Sequence, residues 1–286
     1  MQQQAVDDLI ALLDLEVIEV NIFRGTSPDV SVQRVFGGQV AGQSLVAAAR
    51  TVDEDRRIHS LHAYFLRPGD PSVPLLYEVD RIRDGRSFTT RRVVAIQHGR
   101  PIFNMSASFH VPENGLNHQV PMPGDVPDPD DIPSFAERFA PWAEKLGDIY
   151  SRPRPIDTRY VDWSPPTQHV KKPPTNRVWL RADGKLPDDP VLHTCVLTYA
   201  SDMTLLDTTL RPHGVNNLAG GVQMASLDHA MWFHRPCRMD DWLLYTQDSP
   251  SAFGARGMTR GSLFDRSGVL IASVAQEGLI RKKASE

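Results

Sequence analysis

The sequence predicts an α+β fold made of one unit used twice, each copy a helix followed by an antiparallel meander. Three observations carry this. First, residues recur at a fixed spacing: His62–Ala63 and Arg67–Pro68 reappear as His229–Ala230 and Arg235–Pro236, and Leu75-Leu76-Tyr77 as Leu243-Leu244-Tyr245. Pro68 to Pro236 is 168 residues, and that offset also links Leu75 to Leu243, Arg92 to Arg260 and Ala107 to Ala275. Second, each half places a helix rich in small or apolar residues ahead of four strand-like runs. Third, a proline-rich stretch divides the halves. So long a period means two domains and not a solenoid. The units are read as residues 1–112 and 176–286, with a connector over 113–175 packed across the surface.

In the first half, Gly38 to Arg50 (GQVAGQSLVAAAR) reads as a helix, its Gly and Ala letting a sheet approach closely. Strands follow at Ile58–Leu66, Leu75–Ile82, Phe88–Gln97 and Pro101–His110, parted by Pro68-Gly69-Asp70, Asp84-Gly85 and His98-Gly99. In the second half, Asn176–Ala182 is a strand, and Asp188-Asp189-Pro190 is a helix start with acids at the positive end. Val191 to Leu206 is apolar nearly all round, so that helix is buried on most sides. Strands are expected at Val222–Phe233, Trp242–Ser249, Ala255–Phe264 and Val269–Ile280. The stretch from Pro112 to Pro174 holds 13 of the 23 prolines, which leaves Phe135–Leu146 as its only predicted helix.

Composition narrows the function. A net charge of −4 gives no global basic field for nucleic acid or an anionic membrane. No run approaches the roughly 18–20 apolar residues of a membrane span. The first residues lack the basic flank and apolar run of a signal peptide, so a cytoplasmic protein is expected. Cys195 and Cys237 make neither a disulfide framework nor a metal spacing. No metal and no cofactor are expected.

The polar residues that interrupt apolar elements are the candidates for chemistry. Asp202 closes Tyr199-Ala200-Ser201-Asp202 in the apolar helix. Buried there, its carboxyl would have a raised pKa, as a general base near neutrality needs. Alternatively it faces solvent or bonds a nearby backbone N–H. Alternation puts Val222, Met224, Ser226 and Asp228 on one face, and Leu270, Ala272, Val274 and Gln276 on another. Ser226 and Gln276 therefore break faces that otherwise read as core. They could position a carboxylate and a water, or be satisfied core polar groups. His229, beside Asp228, diverges from it on the strand, and its match to His62 suggests a structural role in both halves. Ser226 lacks the Gly-x-Ser-x-Gly turn of a nucleophile elbow. Gly37-Gly38-Gln39 and Gly220–Gly221 are too short for a phosphate fingerprint. Strand arginines such as Arg86 either meet nucleotide phosphates or solvate an exposed strand face.

Longer motifs sharpen the reading. Val35-Phe36-Gly37-Gly38-Gln39, the run His59 to Asp70 (HSLHAYFLRPGD), Arg83-Asp84-Gly85-Arg86-Ser87-Phe88 and the run Leu227 to Pro236 (LDHAMWFHRP) resemble acyl-CoA thioesterase II. The resemblance weakens only in the connector. It implies a double hotdog fold, two tandem repeats each with a long helix wrapped by an antiparallel sheet, and hydrolysis of acyl-CoA to free fatty acid and CoA. It also implies one active site, in the second repeat, built from Asp202, Ser226 and Gln276. Ser226 stands where that family usually has Thr. Gly37 and Gly38 are then expected near the thioester carbonyl as oxyanion donors, with Arg86 on the substrate. At offset 168, Gln276 corresponds to Ser108 and Ser226 to Ile58, so the first repeat is expected to lack the site. A homo-dimer or homo-tetramer is implied. Two other classes compete: a hotdog hydratase, which needs a histidine on the segment of its Asp whereas the next here is His213, and an acyl-CoA-binding protein without turnover.

Overall fold

A computed structural model describes residues 2–28, 34–147, 150, 152–165, 169–215 and 221–282. Gly220, part of the Gly-Gly pair above, lies outside the described residues. The chain opens with α1 (Gln2–Leu13), β1 (Glu16–Glu19) and β2 (Ile22–Gly25). Next come α2 (Gly37–Ala49), β3 (Arg57–Phe65), β4 (Leu75–Asp84), β5 (Phe88–Gln97) and β6 (Arg100–His110). The connector carries α3 (Phe135–Phe139), α4 (Ala143–Leu146) and β7 (Ile156–Tyr160). The rest comprises β8 (Thr175–Ala182), α5 (Pro190–Ser201), a 3₁₀ segment (Leu206–His213), β9 (Val222–Ser226), β10 (Asp228–Phe233), β11 (Leu243–Phe253), β12 (Arg256–Asp265) and β13 (Leu270–Lys282).

The strands form one antiparallel sheet in the order β1-β2-β4-β5-β6-β3-β10-β13-β12-β11-β8-β7, with β9 pairing the far end of β13. The order is symmetric about the β3–β10 seam, where His62 faces Ala230. A pseudo-dyad at that pair exchanges the repeats. Helices α2 and α5 are neighbours inside the sheet. Gly38 lies against the Tyr199 carbonyl and Gly42 against that of Cys195, which is why this face of α2 carries only small residues. The paired Leu-Leu-Tyr motifs bury Tyr77 and Tyr245 completely. Each phenol finds a helix-side acceptor, Gln43 Oε1 at 2.6 Å and the Ser201 carbonyl at 3.1 Å, as buried hydroxyls require.

The symmetry corrects several expectations. Burial pairs Leu61 with His229 and Ala63 with Met231, so the His-Ala match is out of phase by one residue. His229 is buried, whereas His62 is exposed on the outer face, edge-on to Trp232 with ring centroids 5.2 Å apart. A common structural role for the two is overturned. His62 pairs with Ser106, and Ala230 with Ala275. The β12–β13 hairpin is one residue longer than β5–β6, and buried Gln276 therefore occupies the place of Ala107, not Ser108.

The run Val222–Phe233 is two strands. Ser226 faces Gly278 while Ala230 faces Ala275, so four steps on this side answer three on β13. This is a β-bulge. Its counterpart is the register shift between Ile58 and Ser60 in β3. The bulge reverses the alternation: Ser226 faces inward, but so do His229 and Met231, and Asp228 leaves Ser226's face to accept from the Glu277 N–H at 2.6 Å.

Helix α5 starts as predicted, on Asp189 and Pro190, but ends at Ser201 with Asp202 as its C-cap residue. In the connector, Pro141 breaks the predicted helix into α3, a 3₁₀ turn and α4. Strand β7, which the proline density hides, pairs β8 and mirrors β1 in the sheet order. Residues 156–160 are thus part of the sheet and not only a surface connector.

Candidate active site

Three elements of the second repeat converge at one end of the helix pair. Asp202 caps α5, Ser226 ends β9 at the bulge, and Gln276 lies in the inward phase of β13. Gln276 Nε2 donates to Asp202 Oδ1 at 2.6 Å and to Ser226 Oγ at 2.9 Å, and Ser226 Oγ donates to Asp202 Oδ1 at 3.2 Å. The three polar breaks in the sequence therefore form one hydrogen-bonded cluster. Burial pushes the Asp202 carboxyl up to about 6, against the opposing pull of bonds from Gln276, Ser226 and the Gly38 backbone N–H.

The neighbouring residues fix Asp202 further. Ser201 shares its hydroxyl with His229 Nε2 at 2.8 Å and donates to the Thr198 carbonyl at 2.9 Å. Burial lowers His229 to about 4, so a neutral imidazole supports the helix end. The structural role expected of His229 is therefore found, but for His229 and not for His62.

The first repeat supplies the opposite wall. Helix α2 begins at Gly37 after Phe36, an N-cap residue with no side-chain hydrogen bond to the helix. Of its first N–H groups, that of Gln39 bonds the Phe36 carbonyl at 3.1 Å, which leaves those of Gly37 and Gly38 at a helix N-terminus that favours developing negative charge. The Gly38 N–H also pulls the Asp202 carboxyl down, so both glycines stand beside the carboxylate. A Cβ on Gly37 would lie 2.6 Å from Asp202 Oδ2 and 2.9 Å from the Phe65 ring, so only glycine permits this approach.

The cleft encloses about 500 Å³ and is lined by apolar residues including Val40, Phe65, Ile102 and Leu206. Exposed Arg34 and Arg67 stand among its lining, and so does Asp207. Asp207 is exposed to the cleft. None of these three stood out in the sequence, since each is a lone charge in a loop or 3₁₀ turn. Arg86 does not line this cleft. It sits in the β4–β5 turn, at the level of Ile58 and Phe109, which is the dyad-related end of the helix pair.

Comparison with known proteins gives a consistent answer. The sequence profile described as acyl-CoA thioesterase matches residues 159–279, and the one for the acyl-CoA thioesterase N-terminal domain matches residues 26–110. The chain is 41% identical to acyl-CoA thioesterase 2 of Haemophilus influenzae, over 96% of this chain and 98% of that one. It is 42% identical to human acyl-coenzyme A thioesterase 8, over 95% and 88% of the two chains. Among solved structures, the acyl-CoA thioesterase II TesB2 of Mycobacterium marinum superposes with a TM-score of 0.79 at 48% identity, covering 96% of this chain and 99% of the other. A hotdog-fold protein of Alicyclobacillus acidocaldarius, only 19% identical, shares the fold with a TM-score of 0.76 over 97% and 99% of the two chains. With both repeats matched and relatives above 40% identity along nearly the full length, this chain belongs to the acyl-CoA thioesterase family.

Proposed function

We propose that Asp202 is the general base of acyl-CoA hydrolysis, with Ser226 and Gln276 holding it and the attacking water. The chain is an acyl-CoA thioesterase by family, and the observation that carries the mechanism is the converging pair of bonds on Asp202 Oδ1. These occupy one carboxylate oxygen and leave Oδ2, against Gly37, facing the cleft. Oδ2 takes a proton as the water oxygen attacks the thioester carbonyl. The charge that develops on the carbonyl oxygen meets the Gly37 N–H at the start of α2. Collapse of the tetrahedral intermediate breaks the C–S bond, and the proton passes from Asp202 to the departing thiolate. With its carboxyl near 6, Asp202 is largely ionised at neutral pH yet basic enough to accept a proton.

The acyl chain takes the apolar part of the cleft, and the CoA phosphates meet Arg34 and Arg67. The test is thiol release from acetyl- to palmitoyl-CoA by the unaltered protein and Asp202→Asn side by side. Hydrolysis lost in the variant supports the assignment; full activity in the variant overturns it. Acyl-CoA bound by the unaltered protein without thiol release would favour a binding protein.

We also propose that copies of the chain associate as a dimer or tetramer. Tyr64 (60% exposed) and Trp232 (39%) present an apolar patch on the outer face of the β3–β10 seam. Sedimentation as a monomer at micromolar concentration would overturn this.

A further inference from the structure

We infer that the dyad image of the catalytic cleft, in the first repeat, is a non-catalytic binding site for a free fatty carboxylate. At the other end of the helix pair lies a cavity of about 700 Å³, within the range of small-molecule sites. Its helix walls and the strand at Arg56 and Arg57 repeat those of the catalytic cleft under the dyad, while α1 (Ile10, Leu13, Asp14) closes another side. Ala49 and Arg50 of α2 stand where α5 has Asp202 and Met203, while Asp189 and Pro190 stand where α2 has Phe36 and Gly37.

Every polar group of the catalytic cluster has an apolar counterpart here. Counted from the helix starts at Phe36 and Asp189, Ala49 replaces Asp202; buried Ile58 replaces Ser226, and buried Ala107 replaces Gln276. The helix N-terminus is also closed, because Asp189 Oδ1 accepts from the N–H groups of Val191 (2.8 Å) and Leu192 (3.2 Å). No base, water-holding group or oxyanion donor remains. What remains is an apolar hollow whose partly exposed walls are Ile10, Ala49, Val52, Val191 and Leu192.

The rim selects the head group. Asp14, Asp53, Glu54 and Asp189 outnumber its arginines, Arg50, Arg56 and Arg57, so the rim repels a polyanion such as CoA, and a single carboxylate can be held only against an arginine left unpaired. Arg50 is paired with Asp14. Arg56 donates to the Gly85 carbonyl at 3.0 Å and lies between Asp53 and Asp55, at 3.9 and 3.8 Å. Arg57 alone has no carboxylate partner among the described residues. Its guanidinium meets only the Glu54 carbonyl, at 3.0 Å, and is exposed. An apolar tail in the hollow and one carboxylate on Arg57 is the chemistry this cavity fits.

The experiment is native mass spectrometry and titration calorimetry with laurate on the full chain, comparing the unaltered protein with Ala49→Trp and Arg57→Glu. Ala49→Trp fills the hollow and is expected to remove one bound laurate per chain. Arg57→Glu, on the exposed rim, is expected to weaken that same site at least roughly tenfold. Thiol release is expected to stay within about twofold in both. An unchanged laurate count in a folded Ala49→Trp protein, or unchanged affinity in Arg57→Glu, overturns the inference. Coenzyme A competing laurate from the Ala49-dependent site would overturn the head-group assignment. Laurate binding does not depend on hydrolysis, so failure of the catalytic reading leaves these outcomes legible.

Discussion

The two ends of the α2–α5 pair are built on one backbone plan and differ in how their helices begin. At the second repeat's cleft, α2 starts on Phe36 and two glycines, with no side-chain cap from Phe36. At the first repeat's cleft, α5 starts on Asp189, whose carboxylate takes two of them. Such a cap contributes about 1 kcal/mol. The catalytic end forgoes it and adds a desolvated carboxylate, Asp202. The other end has the cap, and Ala49, Ile58 and Ala107 in place of the polar cluster. A site for chemistry is here a place where local stability has been given up.

Asp202→Asn tests that contrast most strongly. Removal of the base is expected to lower thiol release by about 10³-fold. In the unaltered protein, activity should rise with pH through about 6 as Asp202 ionises. The stability effect has the opposite sense. Because the folded-state pKa is raised, the protonated form favours folding, and that contribution is full below the unfolded value of 3.8 and lost as pH rises through about 6. Asp202→Asn should thus stabilise the protein at pH 8 by about 3 kcal/mol, and by little below pH 4, in urea titrations.

Gly37→Ala comes next. Its Cβ meets Asp202 Oδ2 and the Phe65 ring, so kcat should fall by about 10²-fold. Pro190→Ala at the dyad-related position should leave kcat unchanged. Gln276→Ala should reduce kcat by about tenfold through loss of the bond to Asp202, whereas Ala107→Gln should cost about 1–3 kcal/mol of stability by burying an amide without a partner. Asp189→Ala should cost about 1 kcal/mol in chemical denaturation with kcat intact. Ser226→Thr keeps the hydroxyl and stiffens its rotamer, so a change of less than about threefold is expected.

Much of the site was legible because each member violates its surroundings. Asp202, Ser226 and Gln276 interrupt apolar periodicity, and a polar group in such a place needs partners. The helix starts at Asp189–Pro190 and the turns at Asp84–Gly85 and His98–Gly99 carry their chemistry in the sequence. The bulge at Leu227 does not, since no glycine or proline marks it. It nevertheless decides which of Ser226 and Asp228 faces inward. The extra residue of the β12–β13 hairpin is equally silent, and it makes Ala107 and Ala275 look equivalent when one faces in and the other out. α1 and the short β1–β2 hairpin were not anticipated either, because four-residue strands such as the fully exposed β1 present too few alternations to read. Arg34, Arg67 and Asp207 acquire meaning only from the cleft that gathers them.

The seam at β3–β10 has an evolutionary consequence. Two separate, identical subunits joined there would be bound by symmetry: any substitution improving one cleft would appear in the other. Covalent linkage through the connector frees the two copies to diverge residue by residue. Phe36 and Asp189, at matching helix starts, record that freedom. On the proposed mechanism one half is the reacting end, and the other is free to carry packing in place of polar groups without loss of the reaction.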